Sequence, residues 1–526
     1  MIRPLGVQIS QMLGDHGVEV VFGVPGVHNQ ELYRGIEEAG IRHVLARHEQ
    51  GAGFMADGYA RASGQPGVAY VITGPGLTNI MTPMGQAYAD SVPMLVISSG
   101  LDETDARRGQ LHQMKDQLGA GAAVADWSHE AHSADAAYGL IERAFDEFET
   151  RRPRPKHIQV PIAQLVAEAE PPLPPNMPAQ RVEANKEAVA SVVSLLNIAR
   201  RPLFILGGGA ASVLWKDVLE PLGVATFTTA AGRGTVGDSY AFDFGSYLAR
   251  EESAAVIGSA DLVVAVGTEL SEVDLWRKHL GHTSTLVRVD LNGEVLSDAQ
   301  RATVKLDCDA ESFARALWDS AKDQSPATGW SVEEVAEAKV RWQGEVDAVR
   351  PGVLPVVEAL REVVPLDTMI YSDMTQLSYV AKQVWQMSRP GHWHHPSGFG
   401  CLGYALPAAI GGAVARRGAP TMAIAGDYGF QYTLQELAVA VELGLSLPII
   451  LWDNGKLQEI EDSMTRAQIA PYAVEARNPD FCKLAEAYGA GAVAPKSLSE
   501  MQEAVIGAFR NSGPTLIHVT PEVLKG

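Results

Sequence analysis

Short apolar runs alternate with amphipathic helical stretches along almost the whole chain, and this rhythm constrains the fold more than any other feature. VEVVFGVPG is followed by a helical stretch from about 29 to 40, then HVLAR and a helix from about 50 to 63. VAYVITG, a helix near 79–89 and PMLVISS come next. Apolar runs of strand length between helices point to buried parallel strands, because parallel neighbours need a crossover that covers a sheet face. The rhythm restarts in RPLFILGGGA, DLVVAVGTEL and LVRVDLN, and again from about Leu354. A proline-rich stretch at 171–178 follows HIQVPI and reads as a stiff linker, since proline fixes φ and removes a donor. A charged helical stretch, SVEEVAEAKVRWQGEVDAVR, leads into the last unit. The expected architecture is α/β, with three doubly wound parallel-sheet domains at 1–170, 185–325 and 350–526.

Composition excludes several function classes. Lys+Arg 42 against Asp+Glu 63 gives a net charge of −21, so there is no global electrostatic footprint for nucleic acid or an anionic membrane. No apolar run reaches the roughly 18 residues of a membrane span. The opening MIRPLGVQISQMLGDHGVEVVFG reads as a helix and a strand, not as a signal peptide. The three cysteines, Cys308, Cys401 and Cys482, are too few and too far apart for a disulfide framework. A cytoplasmic protein is expected.

The stretch TMAIAGDYGFQYTLQELAVAVELGLSLPIILWDNGK is the most informative. A strand at 421–425 ends in Gly426-Asp427. A helix follows, with Leu434, Leu437, Ala438 and Val441 on one face, and a second strand ends in Asp453-Asn454-Gly455. Neighbouring parallel strands would bring Asp427 and Asn454 together at the carboxyl edge of the sheet, where open α/β sheets bind ligands. A carboxylate and an amide oxygen suit Mg²⁺ or Ca²⁺, and such a cation commonly also holds phosphate oxygens. Two ordinary strand-end turns would satisfy the same spacing. Gly207–Gly209, after another strand, reads first as a tight turn and second as a phosphate loop.

This stretch resembles the diphosphate-and-metal motif of thiamine diphosphate-dependent enzymes: Gly-Asp-Gly, some two dozen residues, then Asn-Asn. Here Tyr428 replaces the second glycine and Asp453 the first asparagine, while Asp427 and Asn454 are kept. The resemblance assigns the backbone carbonyl of Lys456 to the metal, and Gly426, Tyr428 and Gly429 to the diphosphate. RHEQGAGFMADGYARASG resembles the family's pyrimidine-domain signature. It implies that Glu49 contacts N1′ of the aminopyrimidine, where a buried carboxyl favours the tautomer that removes the reactive proton. VVFGVPG and ITGPGLTN place Pro25 and Asn79 on the pyrimidine side. SGFGCLGYALPAAIGG implies that Leu402 sits beneath the cofactor and that the Gly400 and Leu402 backbones hold the pyrimidine. YSDMTQLSY points to Thr375 and Gln376 at the diphosphate. The family's active site lies between subunits, so a homodimer or homotetramer is implied, with Mg²⁺ as the metal.

The family acts on 2-oxo acids. Pyruvate-type decarboxylases carry an Asp after the VPG turn and a His-His pair; here Val27 and His28 follow the turn, and LHQMKDQ supplies His112 and Gln113. His112, Gln113 and His28 are the catalytic candidates besides Glu49, because a histidine can donate the proton that replaces CO2. FGVPGVHNQELYRGI and AYADSVPMLVISS, with the stretches above, resemble 5-guanidino-2-oxopentanoate (2-ketoarginine) decarboxylases. That substrate would give 4-guanidinobutanal and CO2. A guanidinium needs a carboxylate partner, and Glu459 stands five residues past Asn454, where relatives are usually apolar. The competing readings are an acetolactate synthase-like carboligase, which leaves FAD open without its being expected, and a non-catalytic nucleotide-binding homologue.

Overall fold

The computed structural model describes residues 1–103, 109–177, 180–322 and 324–525. Pro178, the last proline of the linker stretch, lies outside them. Three parallel sheets carry the fold. The first has the order Arg42–Leu45, Val20–Gly23, Gly67–Val71, Met94–Gly100, Lys156–Pro161, Trp127–Glu130. The second runs Ala225–Thr228, Pro202–Leu206, Leu262–Val266, Thr285–Asp290, Val304–Asp307. The third runs Trp393–His394, Met369–Ser372, Thr421–Gly426, Pro448–Trp452, Thr515–Val519, Gly491–Val493.

Strand order departs from chain order because each connection is a helical crossover that returns the chain to the same edge. Alternation within the strands covers both faces. In the first sheet Phe22, Ala69 and Val96 belong to one core, and Val21, Val68 and Leu95 to the core behind it. The cores also join the units. Phe22 and Val96 share theirs with Ala423 and Ile449 of the third sheet, while Phe227 and Val263 of the second share theirs with Ile424 and Ile450. The expected charged helix is Val332–Val349, and its Trp342 is fully buried in that second shared core.

The tightest junction pairs helices from the first and third units, Glu49–Ser63 and Ala405–Arg416. A Cβ on Gly58 would overlap the Ala408 carbonyl, and one on Gly411 would overlap the Met55 carbonyl. Reciprocal glycines thus let the two backbones touch. The Tyr371 hydroxyl donates to the Gly58 carbonyl at 2.7 Å and the Tyr404 hydroxyl to Asp57 at 2.8 Å.

Two local expectations change. The helix anticipated over 29–40 is only Gln30–Arg34, followed by turns. The helix after Asp427 is broken into Asp427–Thr433, a 3-10 turn at Leu434–Glu436, and Leu437–Glu442. The tighter turn rotates the register, so Leu437, Val439 and Ala440 are buried while Leu434, Ala438 and Val441 are half-buried. Glu436 is thereby turned inward, where its carboxylate accepts the Arg47 backbone N–H at 3.0 Å.

Candidate active site

The strand Thr421–Gly426 pairs with Pro448–Trp452 in a register that sets Gly426 opposite Trp452. Asp427 and Asp453 therefore leave the sheet side by side. Asn478 bridges them, its amide donating to Asp427 at 2.7 Å and to Asp453 at 2.9 Å. Asp453 also takes a 2.8 Å contact from His518. Burial pushes the Asp427 carboxyl up, against the Asn478 bond. Burial acts on Asp453 too, but the His518, Gly455 and Asn478 bonds hold it below the usual carboxylate range. Asn454 lies next along the turn, its amide donating to Gln376 at 3.0 Å and its oxygen accepting from the Lys456 N–H at 3.3 Å.

Asp427, Asn454 and the Lys456 carbonyl are hard oxygens, the donor type Mg²⁺ prefers. The turn also fits a diphosphate. A Cβ on Gly426 would lie 3.0 Å from the Thr375 hydroxyl, and one on Gly429 would lie 2.5 Å from Asp373, so a side chain would be crowded at the first and has no room at the second. Asp373 is the residue that sequence reading passed over inside YSDMTQLSY. Fully buried, it accepts N–H bonds from Met374 and Gly403, each at 2.8 Å. Burial raises its pKa to about 7, against those backbone bonds. It ties the Thr375–Gln376 turn to the Gly400–Leu402 loop ahead of the helix Ala405–Arg416. In that loop Gly400 and Leu402 are half-buried.

On the first unit, Glu49 opens its helix and is 8% exposed, with Asn79 donating to its carboxylate at 2.9 Å. The His48 ring caps the helix by accepting the Gln50 N–H at 3.1 Å. Pro25 is exposed on the neighbouring turn. The next loop brings two candidates together: the rings of His28 and His112, 84 residues apart, lie 5.0 Å centre to centre. Burial and the neighbouring His112 lower the His28 pKa, and Asp102 partly offsets them. His112 adopts φ 64°, and its carbonyl lies where a Cβ on Gly74 would be. Gly74 is held by Gln117 at 2.8 Å, Gln117 reaches Ser98 at 3.2 Å, and Ser98 meets the buried His157 at 2.8 Å. Gln113 turns back on Gln110, accepting its N–H at 3.3 Å.

Glu459 is in the helix Gln458–Arg466, which buries none of its residues. Its carboxylate already holds a guanidinium: Nε and Nη2 of Arg350 both reach Oε1, at 2.8 and 2.7 Å. Gly207 forms the tight turn expected of it, abutting Gly267. That turn borders a cavity of about 440 Å³ at the carboxyl edge of the second sheet, lined also by Thr229, Asp290 and His395.

Three linked α/β units with these turns define a class, and the family comparisons agree with it. Residues 4–120 match the thiamine pyrophosphate enzyme N-terminal TPP binding domain, 189–317 its central domain and 373–519 its C-terminal TPP binding domain. The chain belongs to the thiamine pyrophosphate enzyme family. It is 40% identical over 526 residues to a probable 2-ketoarginine decarboxylase of Pseudomonas aeruginosa, covering 98% of this chain and 93% of that one. To the acetolactate synthase isozyme 2 large subunit of Escherichia coli it is 28% identical over 548 residues, covering 98% and 95%. To the mitochondrial acetolactate synthase catalytic subunit of Saccharomyces cerevisiae it is 27% identical over 556 residues, covering 98% and 80%.

Proposed function

We propose that this enzyme decarboxylates 5-guanidino-2-oxopentanoate to 4-guanidinobutanal, using thiamine diphosphate and Mg²⁺. The observation that carries the reading is the guanidinium held by Glu459, one turn beyond the metal loop, taken with the near full-length similarity to a protein named for this reaction. When bound, thiamine diphosphate supplies the nucleophilic carbon and the electron sink that loss of CO2 requires. Asp427, Asn454 and the Lys456 carbonyl hold the cation. Gly426, Tyr428 and Gly429, with Thr375 and Gln376, seat the diphosphate. Glu49, oriented by Asn79, bonds the pyrimidine beside Pro25, and Leu402 with Gly400 supports the ring from the other unit.

His28 and His112 hold and deliver the proton that replaces CO2. Burial and the neighbouring His112 disfavour the charged form of His28, which leaves it neutral and able to accept and pass on a proton. Gln113 orients the carboxylate. In this reading 1–170, 185–325 and 350–526 are the pyrimidine, central and diphosphate domains, and the active site forms between subunits of a homodimer or homotetramer in the cytoplasm. Within the chain an antiparallel helix pair joins the first and third units. Asp57 meets Tyr404, near the Asp373-tied loops, while Glu49 stands eight residues back, roughly 12 Å along the helix.

CO2 release measured across pyruvate, branched-chain, aromatic and guanidino 2-oxo acids tests the reading. A preference for pyruvate with acetolactate as product would replace it by the carboligase alternative. The cavity beside Gly207 favours that alternative far enough to look for flavin, which a yellow protein would reveal.

A further inference from the structure

Arg350 belongs to none of the sheets. It caps the C-terminal end of the helix Val332–Val349, in the connection that enters the third unit. From there its side chain reaches Glu459, and its guanidinium lies 5.2 Å from the centre of the Tyr379 ring. Tyr379 is one helical turn beyond Gln376, which binds Asn454. A carboxylate on one side and an aromatic face on the other is a guanidinium site, and the protein fills it with its own residue.

Three features make the occupant replaceable. Both nitrogens of the fork converge on Oε1, and no hydrogen bond among the described residues reaches Oε2, so the pair forgoes the two-oxygen geometry that makes such bridges strong. In the single chain Glu459 keeps 35% of its side-chain surface, on a helix with no buried residue. Lys382 stands 5.4 Å from the same Tyr379 ring, and its pKa is held down to about 8 by burial and by Arg233 and Arg350. Arg350 thus sits among other cations, which weakens its hold on the site.

We propose that Arg350 is a competing latch: its guanidinium occupies the recognition site on Glu459 and Tyr379 until the substrate's own guanidinium displaces it. A 2-oxo acid with an apolar tail makes no such exchange and draws nothing from Glu459, so its binding does not depend on Arg350. The inference rests on the guanidino-substrate reading above.

The test is calorimetric binding of 4-guanidinobutanoate, which lacks the reactive oxo group, to enzyme loaded with thiamine diphosphate and Mg²⁺. Arg350→Met should tighten binding by about two- to tenfold, the range expected for losing a competing, partly exposed ion pair. Arg350→Lys, which keeps a competing cation, should give a smaller gain. Adding Glu459→Gln should erase the gain, and pentanoate should bind the wild-type protein and all three variants alike. Unchanged or weaker binding to a folded, cofactor-loaded Arg350→Met protein would overturn the latch. The substrate reading fails separately, if the wild-type enzyme releases no CO2 from 2-ketoarginine. The calorimetric result holds or fails whatever that assay gives.

Discussion

The helices Glu49–Ser63 and Gln458–Arg466 both carry a carboxylate that we propose takes part in the reaction, and they are built in opposite ways. The first buries most of its residues against a second helix through reciprocal glycines. The second buries none. Glu49 is fixed before any ligand arrives, its carboxylate on Asn79. Among the described residues Glu459 is held by its ion pair with Arg350. A group that must set a cofactor's tautomer at every turnover belongs on the rigid element, because small misplacements cost rate. A group that must admit and release a charged tail belongs on the element with little packing to lose.

The largest effect should fall on the rigid side. Glu49→Gln should fold and still bind thiamine diphosphate, yet lose about a hundred- to ten-thousandfold in turnover, the span of a lost acid–base contribution. Near-wild-type rates at saturating cofactor would remove Glu49 from the chemistry and break the comparison at its stronger end. Asp427→Ala acts on binding instead. Thiamine diphosphate affinity in the presence of Mg²⁺ should fall by more than the roughly 10- to 100-fold typical of changing a group behind a metal ligand. A titration showing unchanged affinity would mean that Asp427 serves only the Asn478 bridge.

On the loosely packed side the effect should be smaller and selective. Glu459→Leu should cost about ten- to a hundredfold in kcat/KM with 2-ketoarginine, since a charge-assisted bond is worth about 1.5–3 kcal/mol. An apolar 2-oxo acid of similar length should be unaffected. Equal losses on both substrates would assign Glu459 to support of the metal loop next to it.

Legibility in the sequence follows the same division. Strand–helix alternation is local, so three parallel sheets are readable from it. The Asp427–Asn454 spacing is readable because adjacent parallel strands convert a sequence interval into proximity. Asn478 is not, because it lies in an irregular stretch with no periodic signal, and only the folded turn brings it between Asp427 and Asp453. The His28–His112 pair joins two loops whose approach depends on the Gly74 turn and its Gln117 anchor. Asp373 sits within the stretch YSDMTQLSY, yet its burial against Gly403 and Gly429 arises only once the third sheet is assembled. The Arg350–Glu459 pair joins residues 109 apart in sequence. The break at Leu434–Glu436 was hidden because Glu436 looks like a surface acid until the Arg47 N–H is placed against it.

The packed unit should also show its rigidity as acid sensitivity. His157 is fully buried, with one ring nitrogen 2.8 Å from Ser98 and the other 2.7 Å from Ser128. Burial lowers its pKa to about 3, against an ordinary value of 6.5. The folded state therefore refuses a proton that the unfolded chain accepts. Its stabilising contribution is complete above about pH 6.5 and is lost as pH falls from there toward 3, at up to about 1.4 kcal/mol per pH unit. Between pH 6.5 and 5 that comes to about 2 kcal/mol at most. Urea midpoints should fall over this window, and His157→Gln, though less stable at pH 7.5, should show a slope shallower by close to one proton. Because His157 holds Ser98, and through Gln117 the Gly74 turn against His112, the activity of the wild-type enzyme should decline with its stability. An unchanged slope in the variant would shift the acid sensitivity to His394 and His395, which burial also lowers. The weak point would then lie at the edge of the third sheet, and the first unit would be the more acid-tolerant of the two.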